Sequence, residues 1–400
     1  MGFLNHNVYR HRMSRLTEFM EVHGLDGVAI LTPDNFFFLT NYFLDVAPWE
    51  RPVAAIFPRS GNPAVIMNEL STNGIRMAKE RGTLWVDDIT LYSEHPRIAD
   101  RLWLLPQWSQ MVASELLRHG QSTGRLGVDA VPPVMAQVET LLPDLKLVPV
   151  EESLRQLRWV KTAEELHLIR QVAVLSDWGQ ERYRENVRGG RFVQELDLFT
   201  ASQLAEEACR RFPNENVEIR VGSERGPDSA APHGTGAPTG AVVEEADGIV
   251  NVIIARLNGL VVENERTWFY GEPSQPQVEA FEVAREAQEA AIAKLVAGVR
   301  VCDVDAAALE VIERAGYGRH VIHRTGHGLG TAGHEFPDNM AFNQRQLLAN
   351  EVYSAEPGIY VYGLGGFRHD DTVIVGDKEP EVVTHAPKDL ASQTIRVEVR

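Results

Sequence analysis

Between His327 and Asp371 the chain alternates strand-length apolar runs, at 352–355, 359–361 and 371–375, with turns rich in glycine and proline. Such a segment has to reverse direction every few residues, so it is accommodated most simply as short paired strands. Its histidines and carboxylates stand at the reversals. Gly326-His327-Gly328-Leu329-Gly330 leads to His334, seven residues after His327; Glu356 precedes Pro357-Gly358; and Asp370-Asp371 closes the run. Groups placed this way are not spread along a solvated face, and the reversals are expected to gather them in one cleft.

The rest of the sequence bounds what that cleft belongs to. At 400 residues, 44% hydrophobic and 24% charged, the chain exceeds what one core usually serves and reads as a globular protein of about two domains. A formal net charge of −17 argues against a nucleic-acid or anionic-membrane partner, since phosphate binding needs clustered Lys and Arg. No run of eighteen apolar residues is present, and residues 1–15 are polar, without an apolar signal core, so the protein is expected to stay where it is made. Cys209 and Cys302 are too few and too far apart for a disulfide framework or a cysteine metal cluster. That usage suits a reducing cytoplasm, with both thiols packed as small core residues.

Periodicity outlines two domains. In the first, residues 10–21 have helical spacing, and 27–32 form a short strand followed by a turn at Pro33-Asp34-Asn35. Further strands are expected at 53–57, 64–67 and 83–86, with helices within 97–117, interrupted at Pro106, and at 134–142. An α/β domain over residues 1–155 results, and the charged helical stretch 154–179 leads into a second domain, 156–400. There helices are expected at 163–185, 193–210, 275–295 and 303–315, the last capped by Asp303, and strands at 218–221, 248–255 and 260–269. Helices ahead of antiparallel strands predict an α+β sheet.

The order of several motifs matches a known group. Pro232-His233 after Gly226-Pro227, Glu265-Arg266-Thr267 at a strand end, the His327 glycine run with His334-Glu335, Ala355-Glu356-Pro357-Gly358-Ile359-Tyr360, and Gly365-Gly366-Phe367-Arg368 before Asp370-Asp371-Thr372 occur in sequence. Residues 155–385 thereby resemble the creatinase, prolidase and aminopeptidase P superfamily, whose catalytic domain has the pita-bread fold. The N-terminal half resembles the accessory domain of its creatinase and prolidase members. Membership in such a group does not fix the substrate.

The resemblance implies a ligand set that this chain only partly keeps. Peptidase members hold two divalent ions with Asp, Asp, His, Glu and Glu. The second Asp position falls on Glu263, and counting back eleven residues puts the first on Val252, or on Asn251 if one residue is inserted. Neither offers an ionised carboxylate. The remaining positions are His327, Glu356 and Asp370, so Glu263, His327, Glu356 and Asp370 are left for one divalent cation, with Mn²⁺, Fe²⁺ or Zn²⁺ suited to the donors. The competing expectation is metal-free. The creatinase branch resembles this chain in lacking the leading Asp, in carrying Glu-Arg-Thr and in working without metal, with carboxylates holding a cationic substrate and His233 as base. Crowded acids repel unless a cation or protons neutralise them, which favours the ion.

The same resemblance implies catalytic roles for His233, His334 and Glu356, and substrate contacts from Arg51, Glu265, Tyr360 and Arg368. Trp49-Glu50-Arg51 resembles the arginine that reaches a substrate carboxylate across a dimer, so a homodimer is expected. His6, His11, His95, His323 and His385 read as surface or structural, and His369 is ambiguous. The expected activity is hydrolysis of a C–N bond, an amide or Xaa-Pro-type peptide, in a small molecule. A lyase of the same fold, with Glu263 or Asp370 as base, and a non-catalytic binding module remain alternatives.

Overall fold

The computed structural model describes residues 4–93, 104–233, 236–335 and 340–397. His95 and the stretch 97–103 lie outside the described residues. The chain forms two compact units that divide between Arg158 and Trp159.

In the N-terminal unit, strands β1 (Gly27–Ile30), β2 (Ala54–Pro58), β3 (Ala64–Asn68), β4 (Asp88–Tyr92), β5 (Gly124–Val128) and β6 (Leu145–Pro149) form a mixed sheet in the order β4-β3-β2-β1-β5-β6. Around it are α1 (His6–His23), α2 (Pro33–Thr40), α3 (Thr72–Arg81), α4 (Leu104–Arg118), α5 (Pro133–Leu141) and the short α6 (Glu151–Leu154). Val28, Ile30, Ala55 and Phe57 pack with Leu16 and Phe19 of α1 and Ile75 of α3. The alternate residues Ala29, Ala54 and Ile56 pack with Trp108 and Leu116 of α4 and Val138 of α5. With both faces buried, the strands read as unbroken apolar runs rather than alternating ones.

Several local expectations change. Pro33 opens α2 instead of a turn, because its fixed φ suits a first helical position and the Asp129 carboxylate ties down the approach through Leu31 N at 2.7 Å and Thr32 Oγ1 at 2.6 Å. Pro106 sits in the first turn of α4, where no intrahelical N–H is needed, and breaks nothing. Residues 83–86 form no strand; Trp85 and Val86 are buried in the connection to β4. The strands β5 and β6 were not expected, since glycine and charge interrupt Gly124-Arg125-Leu126-Gly127-Val128.

The C-terminal unit begins with α7 (Ala163–Asn186), closed at its start by a capping box between Thr162 and Glu165, and α8 (Val193–Arg211). Strands β7 (Val217–Arg225), β8 (Asp247–Leu257) and β9 (Leu260–Tyr270) follow, then α9 (Gln275–Ile292) and α10 (Val301–Arg314). After these come β10 (Val352–Ala355), β11 (Gly358–Val361), β12 (Gly365–Arg368), β13 (Asp370–Ile374), β14 (Glu381–Val382), α11 (Leu390–Gln393) and β15 (Thr394–Ile395). The main path of the sheet is β10-β13-β9-β8-β7, antiparallel throughout, and β11 and β12 make a separate hairpin. Alanines 280, 284, 287 and 291 of α9 let it pack closely on Val304, Ala308 and Ile312 of α10. Asp303 does not cap α10. Arg300 holds that position, and Asp303 lies in the first turn, paired with Arg300 at 2.6 Å. Both cysteines are free, and Cys209 is exposed rather than packed in the core.

Candidate active site

The site is built on β9. Strand alternation sends Glu263 and Glu265 to one face, and Asn264 and Arg266 to the other. Arg266 is fully buried; it pairs with Asp371 at 2.8 Å and donates to the carbonyls of Asp370 and Ala386, each at 2.7 Å. Lys388 reaches the other oxygen of Asp371 at 2.6 Å. Thr267 Oγ1 donates to the Arg368 carbonyl at 2.8 Å and accepts the Arg368 N–H at 3.0 Å. These bonds lock β13 and the end of β12 onto β9, and put Asp370 directly opposite Glu265 in the sheet. They explain the Glu265-Arg266-Thr267 motif: one residue faces the site and the next two fasten its frame.

His327 comes from the glycine run, which lies alongside β10 through Ser354 N to the His327 carbonyl at 2.9 Å and Glu356 N to the Thr325 carbonyl at 2.7 Å. Gly326 is required there, because a Cβ would stand 2.0 Å from the Ser354 carbonyl oxygen. The chain then turns back, Glu335 N donating to the Gly328 carbonyl at 2.8 Å, so that His334 stacks on His327 with ring centroids 3.7 Å apart.

The groups meet as follows. His327 Nε2 faces Glu263 Oε2 at 3.2 Å and Glu356 Oε1 at 3.4 Å, while its Nδ1 lies 3.2 Å from the Gly328 carbonyl. Glu265, Glu356 and Asp370 present carboxylate oxygens within 4.8 Å of one another. Glu356 therefore joins the Glu263–His327 pair to Asp370, and Glu265, expected as a substrate contact, lies inside the acidic cluster. Arg368 pairs with Glu265 and donates to Tyr360 Oη at 3.1 Å. Asp370 Oδ1 accepts from Ser354 Oγ at 3.0 Å and Ala355 N at 3.1 Å, whereas its buried Oδ2 has no partner among the described residues.

Burial and repulsion set the protonation. Burial pushes Glu265 up to about 8, Arg368 opposing it and Glu356 and Glu263 adding to it. Burial, followed by the charges of Glu265, Glu356 and Glu263, raises Asp370 far above the usual carboxylate range. Glu356 goes the other way: burial acts to raise it, but His327, Arg368, His323 and Arg324 together hold it down. Burial opposes the charging of His327, yet Glu263 and Glu356 lift it to about 9.

This donor set fits one cation. The Gly328 carbonyl engages Nδ1 and leaves Nε2 aimed at two carboxylates, the orientation that a metal-ligating histidine takes. The orphaned Oδ2 of Asp370 and the crowding of four carboxylates call for neutralisation, which protons or a bound cation supply. Glu263, His327, Glu356 and Asp370 would hold the cation. The strand register decides the first-Asp position: Val252 pairs with Glu265 and lines the cavity, while Asn251 turns away to Ser223 Oγ at 3.1 Å, so a second cation lacks its carboxylate. In the other unit, Asp88, Glu115 and His119 also cluster, but Arg118 already pairs with both acids.

A cavity of about 630 Å³ opens over the cluster and includes His233, His334, Tyr360 and Arg368 in its wall. Arg51 belongs to the N-terminal unit, where it pairs with Glu50 at 2.7 Å. Two residues overlooked in the sequence also line the cavity. His323, expected as surface or structural, bonds Tyr360 Oη at 2.7 Å, and Arg324 bonds His334 Nδ1 at 2.8 Å. Their position four and three residues before His327, in a segment that turns into the site, was the available signal. His369 is buried, with its ring edge-on to Phe281 at 4.6 Å, and is structural.

Residues 167–377 match the model of metallopeptidase family M24, and residues 12–160 match the creatinase/prolidase N-terminal domain. The chain belongs to metallopeptidase family M24, and it is a hydrolase acting on C–N bonds, with the prolidase and creatinase type of domain pair. It is 28% identical over 383 residues to a putative dipeptidase of Bacillus subtilis (strain 168), covering 95% of this chain and 99% of the relative. It is 27% identical to an Xaa-Pro dipeptidase of Lactobacillus helveticus over 96% of this chain and 99% of that one. Among solved structures, a dipeptidase from Mycobacterium ulcerans superposes with a TM-score of 0.81 at 26% identity, covering 99% and 100% of the two chains. A prolidase from Thermococcus sibiricus gives 0.79 at 26%, covering 96% and 98%.

Proposed function

We propose that the chain hydrolyses the C–N bond of a small dipeptide-like molecule, of Xaa-Pro or simple amide type, with one divalent cation among Glu263, His327, Glu356 and Asp370. The observation that carries this reading is the convergence of His327 Nε2, two carboxylates and the orphaned Asp370 oxygen. The relatives named as dipeptidases support the substrate class. When bound, a divalent ion supplies the positive charge that acidifies water and polarises a carbonyl. Glu356, its carboxyl held low by His327, Arg368, His323 and Arg324, accepts the proton of the attacking water. His334 and His233, in the cavity wall, donate to the oxygen on which negative charge builds. Arg368 and Tyr360 orient the substrate beside Glu265.

Elemental analysis of protein purified without added metal, combined with turnover of an Xaa-Pro dipeptide panel with and without chelator, tests this. One ion per chain and chelator-sensitive hydrolysis are expected; full activity in metal-free protein would remove the ion from the reading. One observation favours a metal-independent variant: Arg368 already places a positive charge against Glu265. In that version Glu263, Glu356 and Asp370 hold a cationic substrate group and His233 acts as base. Unchanged turnover in chelator distinguishes it.

A homodimer in the cytoplasm accompanies this reading. Two free cysteines suit a reducing compartment, and no described helix is long and apolar enough to cross a membrane.

A further inference from the structure

The sheet of the C-terminal unit ends on one side at β7, and the phase of its ladder leaves that edge open. In the two-residue hairpin between β8 and β9, Leu257 turns its N–H and C=O toward Leu260, so alternation gives β7 the backbone groups of Arg256, Ile254 and Val252. Their partners are Glu218, Arg220 and Gly222. The N–H and C=O of Val217, Ile219, Val221 and Ser223 therefore point off the sheet. Ser223 is engaged there, its carbonyl accepting from Ala237 N at 3.1 Å. The outward groups of Val217, Ile219 and Val221 have no hydrogen bond among the described residues.

Open edges are normally blunted by proline, lysine, a bulge or brevity. None of these protects β7, whose register with β8 is unbroken from Val217 to Arg225. Val217, Ile219 and Val221 pack with Leu204 and Ala208 of α8, while Glu218 and Arg220 stand exposed on the opposite face. Neither charge is firmly committed. Arg220 makes no hydrogen bond or ion pair among the described residues, and Glu218 meets Arg256 only at 3.9 Å.

The open stretch is complementary to itself. Antiparallel pairing of two copies about Ile219 sets Val217 opposite Val221, Ile219 opposite Ile219, and Glu218 opposite Arg220 twice. The open backbone groups then fall at the hydrogen-bonded positions, for about six bonds, and the charges at the closer positions between them. Other alignments lose this match. Centring on Val221 puts Glu218 against Glu224, centring on Val217 leaves Arg220 facing Asn214, and a parallel in-register pairing sets like charges side by side. The two-fold axis of the matching alignment is perpendicular to the sheet, which brings the α8 helices of the two copies to the same face. There Leu198, 72% exposed, lines the outer margin of the cavity with Val221 and offers apolar surface to a neighbouring helix.

We propose that β7 is the surface through which a second copy of this chain docks, edge to edge and isologously, about Ile219. Each copy sets its Glu218 beside the other's Arg220, a residue of the cavity wall, so association completes the outer margin of both cavities. This rests on the homodimer reading for the number of copies and is independent of the reaction.

The test is sedimentation equilibrium of the full chain as wild type, Arg220→Glu, Glu218→Arg and the exchanged pair carrying both substitutions. Wild type is expected to be a dimer. Either single reversal sets like charges opposite each other at two places and is expected to weaken association at least about tenfold, and the exchange to restore it to within about threefold. Ile219→Pro removes an open N–H without touching a bond to β8 and is expected to give monomers. Thermal unfolding checks that each variant is folded, and the exposed charge pair decides the outcome if proline disturbs the packing on α8. Monomeric wild type overturns the proposal and the homodimer with it. A dimer whose affinity ignores both reversals, or which the exchange fails to restore, overturns this interface and leaves the homodimer standing.

Discussion

Glu356 lies 3.4 Å from His327 Nε2 and also feels the charges of Arg368, His323 and Arg324, which together hold its carboxyl low against the opposing effect of burial. A group held ionised beside the reacting centre suits a proton acceptor. Glu356→Gln keeps the shape and removes the charge, so turnover is expected to fall by at least about a thousandfold with an unchanged circular dichroism spectrum. Activity near wild type would exclude Glu356 from the chemistry. Asp197, farther along the cavity wall, behaves differently. Burial pushes its carboxyl up to about 6, against the ordinary 3.8; Ser223, donating at 2.5 Å, offsets part of this and Glu224 adds to it. Between those values the folded protein holds a proton that the unfolded chain has released. The contribution to stability is complete below about pH 4 and is lost as pH rises through 6, amounting to about 3 kcal/mol. Asp197→Asn lacks this dependence, so its unfolding midpoint should gain on wild type between pH 4 and pH 7. A gap that stays constant with pH would show that Asp197 is not the titrating group.

At the scale of elements, the site depends on how β12 and β13 are fastened to β9. The buried Arg266–Asp371 pair, with Lys388 on the second oxygen, is a charge network whose members satisfy one another. Removing one partner from such a network leaves an uncompensated buried charge, which costs about 3–5 kcal/mol. Asp371→Asn is therefore expected to lower the denaturant midpoint strongly, and a loss below about 1 kcal/mol would mean the network is dispensable. The β11–β12 hairpin imposes a steric demand of its own. A Cβ on Gly366 would stand 2.1 Å from the Ser229 carbonyl oxygen, so Gly366→Ala has to push the hairpin away from residues 226–230. Arg368 follows two residues later, opposite Gly358. Gly366→Ala should thus raise KM as well as lower stability; unchanged kinetics would show that the hairpin shifts without carrying Arg368.

For the whole molecule, the acids that define the site are a liability without a positive companion. Binding of a cation to the folded chain alone stabilises it by about 2.7 kcal/mol at a free concentration one hundred times Kd. Titrating Mn²⁺ or Zn²⁺ into chelated protein should raise the unfolding midpoint, and Glu263→Gln should blunt the rise; no shift with either metal would argue for the metal-independent variant. The sequence by itself determined much of this. The long helices and the β8–β9 hairpin follow from sustained periodicity, and His327, Glu356 and Asp370 stand out through the turns and glycines around them, whereas Glu263, inside a strand, follows only from the family resemblance. Local signals failed where burial overrode them, as at β5 and at residues 83–86, and where a terminus depended on distant partners, as at the start of α2, where Asp129 ties down Leu31 from 98 positions away along the chain. Tertiary structure alone decided the rest. Strand register determines which side chains share a face, and a one-residue slip exchanges the two faces. Only the register shows that Val252 rather than Asn251 looks into the cavity, and that Glu265 joins the acids.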